Sequence, residues 1–254
     1  MIREFRIALA FLTRLPAGNL DCAGAGAPKE LGQAARWFPL VGAVLGAIES
    51  GALKLVGPFF SPVIAAVLVV ALDVLLTGAM HFDGLADTAD GFGAGRTRED
   101  VLRIMRDHAI GSYGACALFL ALALKAAAIA SIADSARAMP ALLLAPVLGR
   151  WSAVFSSAVA GYARPGEDDL PRSVGSPARH IGRTETMIAS ITAVTCALPL
   201  DALRGVAACV LTLAAAAGWA HECRRRIGGV TGDTLGAGIE LTECLVLLAF
   251  AVKI

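Results

Sequence analysis

Charged residues are scarce in this chain of 254 residues. They make up 17% of it, against about 25% in a typical soluble domain. Hydrophobic residues make up 57%, and the mean hydropathy is +0.69. This balance excludes an ordinary soluble domain and indicates a membrane protein. The formal net charge of +1 favours no class of charged partner, and we expect no nucleic-acid partner.

Several well-known motifs are also missing. The sequence has no GxxxxGK(S/T) phosphate loop, no GxSxG nucleophile elbow and no dinucleotide-binding fingerprint. The six cysteines form no CxxC pair and have no neighbouring set of histidines, so they predict neither a disulfide framework nor a zinc site. We interpret the cysteines as small apolar residues within helices.

Long apolar stretches separate the charged residues. A helix needs about 20 residues to cross a bilayer, and the pattern predicts six to eight crossings, the fifth and sixth of them short for complete spans. We therefore expect an all-α fold, a polytopic membrane helical bundle that forms one domain over residues 1–254. The predicted spans are Phe38–Leu55, Phe59–Met80, Ala115–Ile132, Ala141–Ala160, Met187–Leu200, Val206–Ala220 and Ala237–Ala251.

Basic residues concentrate in alternate connections between these spans. If the spans alternate in direction, the segments Met1–Trp37, His81–Gly114, Gly161–Thr186 and His221–Gly236 share one side and carry most of the arginines. By the positive-inside rule that side is cytoplasmic. The distribution therefore predicts an inner-membrane protein whose polar site faces the cytoplasm.

The first 18 residues predict an amphipathic or interfacial helix rather than a signal peptide. Arg14 interrupts the apolar stretch, and no small-residue cleavage site follows it. Two further segments, Asp21–Pro28 and Ala163–Arg179, are rich in glycine, alanine or proline and predict loops.

A cluster of carboxylates follows the second apolar stretch. Asp83, Asp87 and Asp90 are spaced i, i+4, i+7, which places them within an arc of about 60° on one helix face. Three anions so close repel one another unless a divalent cation neutralises them. Oxygen-only ligands favour Mg²⁺, Mn²⁺ or Ca²⁺, so the spacing predicts a metal site. The alternative is a solvated loop whose acids offset neighbouring arginines.

A second acidic stretch, GGVTGDTLGAGIELTE, spans Gly228–Glu243. Asp233 and Glu240 are seven residues apart and share a face if both are helical. Glu240 would then lie inside a membrane span, where carboxylates are costly and mark functional sites. The alternative is that Asp233 caps a helix and the glutamates pair with Lys125 or the arginines at 224–226.

Two basic residues, Lys125 and Arg150, lie inside predicted spans. Each pairs with an intramembrane acid or holds a pyrophosphate, and the sequence leaves both interpretations open.

Acids at one end of a helical bundle with arginines nearby suit metal-dependent transfer of a phosphate-linked group. A membrane transporter is an alternative, but it would place its acids near the bilayer midplane. A scaffold subunit without catalysis is a further alternative.

The stretch Asp87–Ala94 matches the opening of the CDP-alcohol phosphotransferase motif, D-x2-D-G-x2-A-R. Arg96 then comes one residue late, Met105 stands where glycine is expected, and the closing D-x3-D is absent. A phospholipid synthase of this kind is therefore a second alternative enzyme.

Three motifs resemble the cobalamin synthase family, the adenosylcobinamide-GDP ribazoletransferases. They are HFDGLADTADG at 81–91, RIMRDHAIGSYG at 103–114 and TGDTLGAGIELTE at 231–243, and with flanking pieces they cover nearly the whole chain. The sequence departs from the family at Phe82, where leucine is usual, and at His108 and Ala109, where Ser-Arg is common.

The resemblance implies a Mg²⁺-dependent transferase. It would join adenosylcobinamide-GDP to α-ribazole or α-ribazole 5′-phosphate, giving adenosylcobalamin or its 5′-phosphate and GMP. The number of metal ions, the general base and a homo-oligomeric state stay open. The catalytic residues expected are Asp83, Asp87, Asp233 and Glu240; the metal ligands are Asp83, Asp87 and Asp90; the substrate-binding residues are Arg14, Lys125, Arg150, Arg164, Asp107, Gly111 and Thr231.

Overall fold

The computed structural model describes residues 1–18, 28–164, 176–197 and 202–252. Helices account for most of this part of the chain, which confirms the predicted all-α class. The β pairing among the described residues is one isolated bridge between Tyr162 and Val230. The helices are α1 (Ile2–Leu12), α2 (Pro28–Ala34), α3 (Phe38–Val56), α4 (Pro62–Thr77), α5 (Met80–Ala94), α6 (Arg98–Ile104), α7 (Ser112–Ile132), α8 (Ala138–Ala160), α9 (Arg183–Ala197), α10 (Ala202–Ile227) and α11 (Gly232–Ala251).

The amphipathic N-terminal helix is confirmed as α1, which buries Ile7, Ala8 and Leu12 and leaves Arg3 exposed. The two predicted loops lie largely outside the described residues, since positions 21–27 and 165–175 fall there. Within the described part, Pro28 begins α2 and residues 176–180 form a short 3₁₀ helix.

The membrane bundle is confirmed. Among the described residues, five helical segments are long and apolar enough to cross a membrane, and α4 with α5 makes a sixth if that bent pair counts as one span. The described residues therefore contain five or six possible crossings, and six is the lowest number in the predicted range of six to eight. The five segments are Lys29–Val56, Ser112–Ile132, Ala138–Ala160, Leu203–Ile227 and Gly232–Ala251.

Three predicted spans need correction. The stretch Phe59–Met80 is not one straight helix, because α5 leaves the direction of α4 at 91°. The described part of Met187–Leu200 belongs to α9, whose 15 residues are fewer than the roughly 20 that a crossing needs. The sixth span, predicted as short at Val206–Ala220, lies within the 26-residue α10, which is long enough to cross.

Two residues with left-handed backbone produce the bend between α4 and α5. Gly78 has φ +65° and Ala79 has φ +61°, and such a conformation ends a helix. The Arg14 side chain packs on Gly78, where a Cβ would lie 2.3 Å from its Nε. The backbone N–H of Arg14 also donates to the carbonyl of Leu76 at 2.7 Å. The chain after α1 therefore supports the bend.

Helix α8 lies at the centre of the bundle and packs against α3, α9, α10 and α11. In α8, 72% of an 18-residue apolar stretch is buried inside the protein. The corresponding stretches of α7 and α10 are only 28% buried, although both are strongly apolar. Apolar helix faces left uncovered by protein suit contact with lipid. The outer position of α7 and α10 therefore fits a bundle immersed in a bilayer.

Candidate active site

The two acidic stretches meet where α5 crosses α11. Gly84 packs directly on the α11 backbone, and a Cβ there would lie 2.7 Å from the carbonyl oxygen of Asp233. A Cβ on Gly236 would lie 3.2 Å from the Cα of His81. Small residues are needed wherever helix backbones approach this closely. The glycines of both motifs therefore bring carboxylates distant in the sequence to one end of the bundle.

Three carboxylates lie near this crossing, although their oxygens are not all within 4.8 Å of one another. Asp83 is exposed and Asp87 is half-buried on α5, and Asp233 lies in the first turn of α11. Asp87 experiences the negative charges of Asp83, Asp233 and Asp90. An arrangement of like charges of this kind is unfavourable without a cation. The crossing therefore forms an acidic site, which we call the aspartate cluster, of Asp83, Asp87 and Asp233.

Thr231 fixes the start of α11 and thereby the position of Asp233. The Thr231 hydroxyl accepts from the backbone N–H of Thr234 at 3.3 Å, and the Thr234 hydroxyl accepts from the N–H of Thr231 at 2.8 Å. This reciprocal pair is a capping box. The alternative that Asp233 is itself the cap is wrong. Thr231 is fully buried, so its observed contacts are structural rather than those expected of a substrate-binding residue.

The segment Gly161–Arg164 lies against the start of α11. Ala163 N–H donates to the Val230 carbonyl at 2.9 Å, and Val230 N–H donates to the Gly161 carbonyl at 2.7 Å. These bonds place Arg164 Nη2 3.7 Å from Asp233 Oδ2. Within the described part of the chain, Arg164 Nε and Nη2 make no hydrogen bond. Arg164 therefore places a partly buried guanidinium charge beside the aspartate cluster.

Two further contacts define this end of the bundle. Arg98 donates to the carbonyls of Ile227 at 2.8 Å and Ala163 at 2.6 Å, so it joins α6 to the end of α10 and to the segment Gly161–Arg164. Nothing in the sequence distinguished Arg98 from its neighbouring arginines.

Burial raises the pKa of the Tyr162 hydroxyl, so this group stays neutral at physiological pH.

Asp90 makes different contacts from Asp83 and Asp87. Its buried carboxylate accepts from the N–H of Gly111 at 2.7 Å and of Gly114 at 2.9 Å. Both glycines lie at the start of α7, so Asp90 caps that helix from outside it. A Cβ on Gly111 would lie 2.5 Å from an Asp90 oxygen. The sequence predicted Asp90 as a metal ligand and Gly111 as a substrate-binding residue. In the structure the two residues contact each other, and this contact positions α7.

Two other expected substrate-binding residues lie at exposed positions. Asp107 Oδ1 accepts from the N–H of Ala109 at 3.1 Å and closes a local turn between α6 and α7. Arg14 lies at the α4–α5 bend described above.

A separate network of charges lies inside the bundle. Lys125 Nζ lies 3.0 Å from Asp73 Oδ2, 2.8 Å from Glu240 Oε2 and 2.5 Å from Glu243 Oε2. Arg150 donates to Glu243 as well. Buried charges are stable only when they are paired, and this accounts for the grouping. We call these five residues the buried ion network.

The buried ion network changes the interpretation of three expected site residues. Glu240 pairs with Lys125, and Arg150 pairs with Glu243. Pairing with charges inside the membrane was one of the two interpretations that the sequence left open. Glu240 lies about 10 Å along α11 from Asp233 at 1.5 Å per residue. The structure therefore does not bring these three side chains to the aspartate cluster.

Sequence reasoning missed Asp73, which contributes to the buried ion network. Among the described residues, the one group of three acids whose oxygens gather within 4.8 Å is Asp73, Glu240 and Glu243. The ammonium of Lys125 lies within bonding distance of all three. A lone aspartate in the apolar run VVALDVLLTG was the available signal.

A cavity of about 140 Å³ adjoins the aspartate cluster, and Asp83 and Asp233 both line it. Most of its wall is apolar and comes from α1, α3, α8 and α11, with Phe11, Phe38 and Ile239 among the lining residues. The site thus combines carboxylates, a partly buried arginine and an adjoining apolar cavity.

Fold and site together define an all-helical, multi-pass membrane protein with an acidic site at one end of its bundle. The family described as cobalamin-5-phosphate synthase matches residues 4–251. The chain therefore belongs to the cobalamin-5-phosphate synthase family, whose members are transferases of cobalamin biosynthesis. This membership decides against the phospholipid synthase, the transporter and the scaffold subunit.

Several similar proteins are named adenosylcobinamide-GDP ribazoletransferase. The protein of Rhizobium johnstonii is 39% identical over 251 residues, which cover 96% of this chain and 94% of that protein. The protein of Shewanella pealeana is 40% identical and covers 98% and 96% of the two chains. The protein of Klebsiella pneumoniae strain 342 is 38% identical and covers 98% and 99%. No solved structure matches the chain.

Proposed function

We propose that the protein joins adenosylcobinamide-GDP to α-ribazole, or to α-ribazole 5′-phosphate, and releases GMP. The product is adenosylcobalamin or its 5′-phosphate. The names of the relatives support the substrates. The observation that carries the proposal is the meeting of Asp83, Asp87 and Asp233 beside Arg164. Such a site suits a diphosphate substrate and its metal.

The residues of the aspartate cluster fit Mg²⁺. All three offer carboxylate oxygens, the ligands that this hard cation prefers, and Asp87 experiences the charges of the other two. We therefore assign Asp83, Asp87 and Asp233 as the groups that would hold Mg²⁺. When bound, the ion would neutralise charge on the diphosphate. Asp90, the third ligand expected from sequence, is instead assigned to α7, because two backbone N–H groups engage its oxygens.

Each protein group then has a defined task. The Arg164 guanidinium beside Asp233 donates to a non-bridging oxygen of the diphosphate. A carboxylate that lines the cavity, Asp83 or Asp233, accepts the proton of the ribose 3′-hydroxyl on the oxygen that does not hold the ion. The hydroxyl oxygen bonds to the phosphorus that carries cobinamide. The bond from this phosphorus to the bridging oxygen breaks, and GMP leaves with the electron pair.

We also propose that the aspartate cluster faces the cytoplasm from the inner membrane. The chain segments that carry most of the arginines meet at this end of the bundle, as the Arg98 contacts to Ala163 and Ile227 illustrate. Cytoplasmic loops of membrane proteins carry such an excess of basic residues. Phosphorylated, water-soluble substrates would then reach the site from the cytoplasm.

Turnover by the purified protein tests the proposal. The protein in detergent is incubated with adenosylcobinamide-GDP, α-ribazole and Mg²⁺, and cobalamin and GMP are measured by chromatography. We expect both products in equal amounts, with loss of at least about 100-fold in Asp83→Asn and complete loss with EDTA. Asp134→Asn, which changes an exposed aspartate after α7, is the matched control. Asp83→Asn turnover equal to that control would contradict the assigned site.

A further inference from the structure

The cavity beside the aspartate cluster has the size and lining of an aromatic-ring site. Its volume is about 140 Å³, and an apolar cavity of about 150 Å³ holds one benzene ring, so a fused base would place one ring inside and extend the rest toward the open, carboxylate-bearing side. The lining residues Leu12, Phe38 and Ile239 are all buried. Asp83, by contrast, is exposed. The cavity therefore has a buried apolar part and a polar part formed by carboxylates.

His81 adds one polar group to this apolar lining. It is 1% exposed, and neither ring nitrogen makes a hydrogen bond to any described residue. It experiences the charges of Arg150, Asp73 and Lys125 without bonding to them. Buried polar atoms without a partner are rare and costly. Both ring nitrogens lack accessible surface of their own, so a ligand in the cavity would supply the missing partner once the imidazole turns toward it.

Given the proposed function, we infer that this cavity holds the aromatic base of the acceptor nucleoside and that His81 donates a hydrogen bond to it. The base of α-ribazole is a dimethylbenzimidazole. It is flat and mostly apolar, and one ring nitrogen carries the ribose while the other has a free lone pair. A neutral imidazole can donate to that lone pair. The ribose then lies toward Asp83 and Asp233, where its hydroxyl must react.

Equilibrium binding tests the role of His81 without turnover. Calorimetry on the detergent-solubilised protein compares α-ribazole with the analogous dimethylindole riboside, which has CH in place of the free nitrogen. We expect the protein to bind α-ribazole about tenfold more tightly, the size of one hydrogen bond. His81→Phe should bind the two ligands equally, whereas His221→Phe, at an exposed position on α10, should keep the preference. An unchanged preference in His81→Phe would refute the assigned hydrogen bond.

Filling the cavity tests where the base binds. Ala153 is buried, lies on α8 and lines the cavity. Ala153→Phe should raise the KM for α-ribazole at least tenfold and leave the KM for adenosylcobinamide-GDP unchanged. Val159→Phe, on the exposed side of the same helix, is the control. If Ala153→Phe does not fold, Ala153→Leu makes the same test with a smaller side chain.

The outcomes separate this inference from the proposed function. If the unsubstituted protein forms no cobalamin under any condition, the proposed function is wrong. If it forms cobalamin and a folded Ala153→Phe variant binds α-ribazole with unchanged affinity, the proposed function stands and the cavity is not the base site.

Discussion

At the scale of single residues, hydrogen bonding separates Asp90 from Asp83 and Asp87, although all three lie on α5. Backbone N–H groups of Gly111 and Gly114 engage both Asp90 oxygens. Local spacing placed the three aspartates on one face correctly. It could not reveal this difference, because the partners of Asp90 lie on the next long helix.

Gly114→Ala should destabilise the protein, because the added Cβ would lie 2.4 Å from Asp90 Oδ2 and 3.0 Å from the carbonyl oxygen of Ala86. We expect a loss of about 1–3 kcal/mol, typical of overpacking. Gly51→Ala is the control, since nothing lies within 4 Å of a Cβ there; better helix propensity should stabilise it by up to about 1 kcal/mol. Thermal unfolding in detergent compares the two, and a lower stability for Gly51→Ala than for Gly114→Ala would be inconsistent with this packing.

At the scale of helices, the buried ion network joins α4, α7, α8 and α11 through side chains spread along most of the chain. The sequence indicated that Lys125, Arg150 and Glu240 were unusual because they are charged residues in apolar runs. It left open whether they pair or bind phosphate. The choice depends on which helices are neighbours, and a single sequence does not specify this.

Lys125→Met should be strongly destabilising. It leaves Asp73, Glu240 and Glu243 buried without the ammonium that contacts all three. Removing one partner from a buried ion pair costs about 3–5 kcal/mol. Lys54→Met changes an exposed lysine on α3 and should have little effect. Equal melting temperatures for the two variants would show that the network does not stabilise the bundle.

The α4–α5 bend gives a second prediction for the helices. Ala79 has left-handed backbone, which costs an L residue about 1–2 kcal/mol relative to glycine. Ala79→Gly should therefore raise the melting temperature, despite the extra freedom that glycine adds to the unfolded chain. Hydropathy alone predicted one span through this region, because a left-handed residue pair is invisible to an apolar-run count. A lower melting temperature for Ala79→Gly would mean that this conformation is not strained.

At the scale of the whole molecule, apolar outer helices surround a largely apolar core that contains the buried ion network, and the aspartate cluster lies at one end. The all-α class and the membrane environment could be predicted, since each depends on residue type or short-range pattern, whereas the number of crossings was predicted only at the lower end of its range. The joining of the two acidic stretches could be expected only from the family resemblance. Its physical basis is the close contact of Gly84 with the Asp233 backbone, which only the folded chain displays.

Binding of Mn²⁺, a spectroscopic substitute for Mg²⁺, tests most directly whether the two acidic stretches form one metal site. Electron paramagnetic resonance would measure Mn²⁺ affinity in the unsubstituted protein and in Asp87→Asn, Asp233→Asn and the control Asp134→Asn. We predict that Asp87→Asn and Asp233→Asn each weaken binding at least about tenfold, as loss of a charged ligand should, and that the control binds normally. Unchanged affinity in a folded Asp233→Asn variant would show that α11 contributes no ligand, and would contradict a site shared by α5 and α11.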